Sequence, residues 1–345
     1  MLKFISQIQL FVLVFQLIFL AYQGVFKFTY IVSALLIFIV ILFQIKSFEY
    51  VGSFSNYKIK KSKFNNVLLI IVLCLSIFTF DVFSKVLLPL PLSLLKDVKY
   101  LGIGFKLAVV ILPASSIVVF FTDLNKYKKV IVFILCIIVS SFVSYKTLSK
   151  QPIIPYIIII GFLGYKKMIP KIFLLAVLFV SFVVLFSVYA NRETSVDWLE
   201  VIYLLLFRFS MILELSAVLE WLNFNSHLNL FTTNDITFSI TSVIFNRDPS
   251  LIGLAPSFLG FFNVFFGFLG FFIALLFIRV ITVFLKNLGN EKLINAIFYY
   301  IWIFEFLSFF TDGIPHFYLS TSNGLFFWGI LFTSLYLIKK NKNYG

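Results

Sequence analysis

The sequence predicts an all-α, polytopic integral membrane protein of about ten transmembrane helices with one long extracytoplasmic loop. Three observations predict it. The chain of 345 residues is 61% hydrophobic and 12% charged, where soluble domains carry about 25% charged residues. Its mean hydropathy is +1.07, more apolar surface than a water-soluble core can hide, so lipid is the solvent. The apolar runs are also continuous and long, whereas a β-barrel reads as short alternating strands.

A membrane helix needs about 20 apolar residues. Ten runs are expected as spans: residues 5–22, 28–45, 66–84, 103–122, 130–145, 153–165, 172–190, 256–285, 294–311 and 324–338. The first has no small-residue cleavage site and is followed at once by a second run. It is therefore expected to stay as a helix and not to be removed as a signal peptide. The sixth, IIPYIIIIGFLGY, is short for a span. Within one membrane domain, residues 1–190 form a seven-helix platform, 191–255 the long loop and 256–345 three C-terminal helices.

Orientation follows from the basic residues of the loops. With both termini in the cytoplasm, eighteen basic residues fall inside and nine outside, and Lys106 falls within a span. The two-to-one ratio places the long loop outside. The net charge of +14 is thus a topology signal. No basic helix with interleaved aromatics appears, and nucleic acid is not an expected partner. Cys74 and Cys136 lie in apolar runs and read as small buried residues. With two histidines in the chain, His227 and His316, a His/Cys metal site is not expected.

The long loop concentrates the chemistry. It holds three of the four arginines, Arg192, Arg208 and Arg247, and no lysine. The inside set is nearly all lysine. Arginine presents a planar fork that grips carboxylate or phosphate oxygens in pairs, and lysine offers a point charge. These arginines either bind an anionic substrate or pair with Glu193, Asp197, Glu200 and Asp248 to hold the loop together. Within the loop, residues 198–222 read as an amphipathic helix. Asp197, Glu200, Arg208 and Glu214 fall in a sector of about 120°. Such a helix can lie at the membrane surface or dip into it with its charged side toward a wet cavity. Read as a full span, it would invert the downstream topology. Its arginine and glutamates and the lysines that follow argue against that.

The segment GLAPSFLGFFNVFFGFLGFFIALLFI follows. Pro256 suits a first helical turn. Gly260, Asn263, Gly267 and Gly270 recur at spacings of three, four and three along one stripe, which lets a helix or a long ligand approach the backbone. A single helix over 256–285 would be about 45 Å long against a hydrocarbon core of about 30 Å. Its outer end would then project, carrying Pro256 and Ser257 beside the loop. A shorter outer loop, 311–323, holds Asp312 and His316, and a histidine can serve as general base near neutral pH. A lone loop histidine is also often incidental. Glu305 is an ionisable group inside the ninth run, and Asp81 sits near an outer helix end. No Walker loop, Rossmann glycine pattern, Gly-x-Ser-x-Gly or His-Glu-x-x-His occurs, and no internal repeat is visible. Chemistry on the outer face has no ATP there, so a synthetic reaction needs a substrate that arrives activated.

On Arg192 and Arg208 of the long loop and APSFLGFFNVFFGFLG (255–270), the chain resembles the O-antigen polymerase (Wzy-type) family of oligosaccharide repeat-unit polymerases. In that family the corresponding segment often reads Pro-Ser, a few apolar residues, then Phe-Gly-x-x-Gly; here these are Pro256, Ser257, Phe266, Gly267 and Gly270. The topological likeness covers nearly the whole chain and the sequence likeness about 80 residues. Arg247 lies near the motif without a matching family position.

The resemblance implies an architecture like that of the lipid-carrier (GT-C-type) glycosyltransferases in a bacterial cytoplasmic membrane. It implies substrates that are oligosaccharides on undecaprenyl pyrophosphate, made into O-antigen or capsule. It also implies two partners, a flippase and a chain-length regulator. Arg192, Arg208 and His316 are the candidate catalytic residues. Arg247, Pro256, Ser257, Asn263 and Gly267 are the candidate substrate-binding residues, with no cofactor or metal required. Three other readings compete: a polysaccharide flippase or transporter, a membrane acyltransferase, and a structural membrane protein. Flippases are longer, with two similar halves and charges buried in helices. An acyltransferase places a histidine well inside the membrane.

Overall fold

A computed structural model describes residues 1–22, 24, 28–49, 65–90, 99–166, 175, 179, 183, 262–263, 266–267, 269–288 and 293–312. Among the described residues every regular element is helical. The elements are α1 (Leu2–Tyr22), α2 (Phe28–Glu49), α3 (Asn65–Ser84), α4 (Leu101–Phe121), α5 (Lys126–Thr147), α6 (Ile154–Tyr165), α7 (Leu269–Leu288) and α8 (Leu293–Asp312). Six of them, α1 to α5 and α7, are long and apolar enough to cross a membrane. The protein is a polytopic helical membrane protein. Of the expected span 172–190 only residues 175, 179 and 183 are described, all three helical; the span 324–338 and the amphipathic helix 198–222 lie outside the described residues.

The chain divides into two compact units, one containing α1, α2 and α7, the other α3 to α6 and α8 up to residue 305. In the first unit α1 and α2 form an antiparallel hairpin. Gly24 turns the chain at φ +67, a conformation that glycine adopts without steric cost. Leu13, Leu20, Ala34 and Ile41 pack between the two helices. Ser6 Oγ donates to Gln44 Oε1 at 3.4 Å inside this contact, and Lys3 pairs with Glu49 across the open end. In lipid an interhelical hydrogen bond is worth on average about 0.6 kcal/mol, so close side-chain packing carries most of the association. Outward-facing Phe11, Ile18, Leu35 and Phe38 are exposed, as lipid-facing residues are.

The second unit is built around α4. Its C-terminal half, Leu112–Phe121, is buried throughout. Close approach begins at its N-terminal end, where a Cβ on Gly104 would stand 3.1 Å from Phe83 Cε2 and 3.2 Å from Val82 Cγ1. Residues Leu107–Ile111 wind as a π-helix, with the Leu112 N–H bonded to Leu107 O. Pro113 has no N–H to return to the preceding turn, and the wider turn sits directly before it. Ser140 Oγ on α5 reaches across to Ala108 O at 3.3 Å. Lys106, expected within a span, lies on the turn before this π segment.

Helix α5 opens with Asn125, whose side chain accepts from Tyr127 N at 3.1 Å. It closes in a Schellman arrangement: Leu148 N–H bonds Tyr145 O and Ser149 N–H bonds Ser144 O. Leu148 stands at the left-handed position, φ +47, where glycine is usual; its side chain is buried in return. Exposed Tyr127 and Tyr145 mark the two ends. Eighteen residues apart, they are separated by about 27 Å along the helix, close to the thickness of the hydrocarbon core. Tyrosines at that spacing are the aromatic belts of a membrane span.

Helix α6 departs from expectation. It has 12 residues, about 18 Å, too short to cross the core alone. Tyr156 in its first turn packs on Phe133 at 5.9 Å between ring centroids. Phe133 stands 14 residues before the end of α5, so α6 starts deep beside the middle of α5. Leu148, Pro152 and Ile153 in the connection are buried, as irregular backbone at membrane depth must be. The α8 segment joins this unit through Tyr300, stacked on Phe121 at 6.1 Å and 5°.

The antiparallel packing puts Lys99 and Lys128 at opposite ends of the unit. With Cys74 and Cys136 replaced by serine, Lys99→Cys and Lys128→Cys are expected to react with a membrane-impermeant maleimide from opposite sides. Labelling of both in intact cells would contradict the arrangement.

Candidate functional site

Of the expected site residues, Arg192, Arg208, Arg247, Pro256, Ser257 and His316 lie outside the described residues. Asn263 and Gly267 are described, and they occupy a chain reversal. Asn263 is buried and helical. Its carbonyl accepts from Gly267 N at 2.9 Å, and Gly267 O in turn accepts from Gly270 N at 2.9 Å. Gly267 has φ +56, the left-handed position that ends a helical turn. Helix α7 begins two residues later.

This corrects the expectation of one unbroken helix over 256–285. The helical turn through Phe262 and Asn263 stops at Gly267, and the chain folds back so that Phe262 packs on Phe277 at 5.7 Å. Gly270 faces the returning backbone: a Cβ there would stand 2.3 Å from Phe262 O and 2.8 Å from Asn263 N. The glycines therefore do not form a stripe on one helix. Gly267 makes the reversal and Gly270 makes room for it. Helix α7 has 20 residues, about 30 Å, and matches the hydrocarbon core without an overhang. The reversal holds Asn263 in the interior, where its amide can orient a polar group but cannot transfer a proton.

Two other expected positions are placed. Asp81 is exposed and pairs with Lys85 at 2.8 Å, one helical turn away. Glu305 falls on α8. Cys136 is buried as expected, with its Sγ 3.9 Å from Ser76 Oγ, whereas Cys74, expected buried, is exposed on the outward face of α3: an apolar run marks a span and not which of its faces is covered. Among the described residues no group of three His, Cys, Asp or Glu side chains is placed to hold a metal ion.

A polar seam inside the second unit is absent from the expectations. The Tyr156 hydroxyl lies beside Ser140, Ser116 and Cys136, with all four residues buried. Ser116 Oγ donates to Pro113 O at 2.8 Å and Thr147 Oγ1 to Val143 O at 2.7 Å. The seam had a sequence signal: Ser140, Ser144 and Thr147 recur at four and three residues on α5, the spacing of one helix face. Small hydroxyl residues on such a face let membrane helices approach, and the seam reads as packing chemistry.

The chain matches no protein-family model, no curated protein and no solved structure.

The reversal makes a steric prediction. Gly270→Ala forces the Phe262 carbonyl away and is expected to lower the thermal midpoint of the detergent-solubilised protein by several degrees. Gly267→Ala is expected to cost about 1–2 kcal/mol for a left-handed alanine. An unchanged midpoint for Gly270→Ala would show that the chain does not fold back here.

Proposed function

We propose that the protein is a repeat-unit polymerase that joins lipid-linked oligosaccharides into a surface polysaccharide on the outer face of a bacterial cytoplasmic membrane. One observation carries this reading. Three of four arginines are gathered in a lysine-free stretch, directly before the Pro-Ser…Phe-Gly-x-x-Gly segment. The reversal at Gly267 is compatible with it, because it gives the motif glycines a steric reason to exist. The finer architecture, about ten spans arranged as in the lipid-carrier glycosyltransferases, belongs to the same proposal.

The chemistry follows from those residue types. A hydroxyl of the acceptor unit attacks the anomeric carbon of the growing chain. A new glycosidic C–O bond forms as the C–O bond to the undecaprenyl pyrophosphate breaks. The diphosphate leaves with the electron pair, and positive character builds on the sugar ring. Arg192 and Arg208 would hold the diphosphates with paired N–H donors. Preorganised donors aimed at developing charge are worth about 3–4 kcal/mol each where water is excluded. The acceptor proton would pass to His316 or to a carboxylate of the loop. Arg247, Ser257 and Asn263 would contribute polar contacts to the saccharide or the lipid phosphates. The diphosphate linkage supplies the free energy, so the step needs no nucleotide. A flippase delivering units and a chain-length regulator would be working partners.

A second reading, a flippase or transporter, draws on α6. Half-length helices that start inside a bundle occur in transporters. The fate of the lipid-linked unit separates the two. Loss of a polymerase leaves single units transferred to the surface, and loss of a flippase leaves none there.

Arg192→Lys and Arg208→Lys preserve charge and remove the paired donors. Each is expected to shorten the surface glycan to one or a few units on a gel ladder while protein levels hold. A ladder of normal length from both variants would refute the paired-donor mechanism.

A further inference from the structure

Both ends of the second unit are basic. Lys85, Lys99, Lys106, Lys146 and Lys150 belong to the end where α3 and α5 finish and α4 starts. Lys126, Lys128 and Lys129 belong to the other. Among the described residues, Asp81 is the acidic side chain of the first end and Asp123 that of the second. Helices that cross the membrane put one of these ends on the translocated side, where lysine is disfavoured. At the first end Asp81 answers Lys85 and Lys146 is spent on backbone carbonyls; the exposed Lys99 and Lys150, beyond these pairings, point to a further anion at this end.

The first end is also built in an unusual way. Lys146 Nζ donates to Val86 O at 2.7 Å and to Leu87 O at 3.2 Å, and Leu90 N donates to Lys146 O at 3.1 Å. These bonds pin the irregular stretch after α3 across the end of α5. The stretch is thereby held with Leu87 89% and Leu88 70% exposed. Two leucines fixed outward, next to exposed Lys85, are unfavourable in water. They suit the boundary between headgroups and acyl chains. Tyr100 at the start of α4 and Tyr145 near the end of α5, both exposed, belong to the same end of the unit. Lys99 Nζ lies 5.3 Å over the Tyr100 ring, and Lys150 is exposed just beyond α5.

We propose that this end of the unit is a binding surface for anionic phospholipids of the surrounding bilayer. Lys85, Lys99 and Lys150 contact the phosphates while Leu87 and Leu88 enter the acyl layer. Lys146 is a positioning residue, occupied in holding the two leucines outward. The surface does not depend on the polymerase reading.

Native mass spectrometry of the full chain in mild detergent, titrated with phosphatidylglycerol or phosphatidylcholine, tests it. Phosphatidylglycerol is expected to be retained over phosphatidylcholine. A lysine near an anionic surface contributes about 1 kcal/mol, or about fivefold in affinity. Lys85→Gln/Lys99→Gln should therefore weaken retention by about tenfold or more, and Lys85→Arg/Lys99→Arg should restore it. Leu87→Ser/Leu88→Ser should weaken retention without changing its salt dependence. Three outcomes would overturn the proposal: unchanged retention in the glutamine variant, an equal loss from Lys126→Gln/Lys128→Gln at the opposite end, or complete displacement by inorganic pyrophosphate. The last would make the surface a site for a soluble anion.

Discussion

In hydrocarbon a backbone N–H or C=O has no water to bond, and this constraint governs where the chain can stop being helical. The helix interiors satisfy it by themselves, and the helix ends need help. At the end of α4, Lys129 Nζ donates to Phe120 O at 3.1 Å and Thr122 Oγ1 to Val119 O at 2.7 Å. At the end of α3, Lys146 serves Val86 and Leu87. The close of α5 satisfies itself through two backbone bonds around Leu148. Two of the lysines that look like topology charges are thus also helix caps, reaching from α5 back to the ends of α4 and α3. The cationic head stays near water while the stem lies along apolar surface.

The same constraint explains α6 and the π segment. A helix that starts midway through a bundle leaves a first turn at membrane depth. The chain meets that need locally: Ile153 and Ile154 N both donate to Lys150 O, Tyr156 and Ile157 N both donate to Ile153 O, and Pro155 has no N–H. Every N–H of that first turn is used, which leaves no room there for an anion of the kind that helix starts often bind. In α4 the widened turn hands one carbonyl to Ser140 on the neighbouring helix. Irregularity in α4 and before α6 is thus taken up by one hydroxyl and by the local backbone.

Much of the architecture was legible in the chain. The runs at 5–22, 28–45, 66–84, 103–122 and 130–145 correspond to α1 to α5 within a few residues. Unbroken apolar stretches can be housed only as spans, which is why these were readable. The candidate site was legible only as residue types. Arginine without lysine over 191–255 says which groups are gathered in sequence, and gathering in space is a separate matter decided by folding. The glycines of 260–270 misled because spacing at three and four is the mark of a helix face, and a face presumes a helix that continues.

Composition and run length by themselves determined that this protein lives in lipid and that it is helical. These properties depend on sums over many residues, and no single contact can overturn them. Tertiary structure alone decided that Gly267 reverses the chain, that α6 begins inside the bundle, and that Lys146 holds two leucines outward. Each of these turns on one backbone angle or one hydrogen bond between residues far apart in sequence, and no local pattern encodes such a partner.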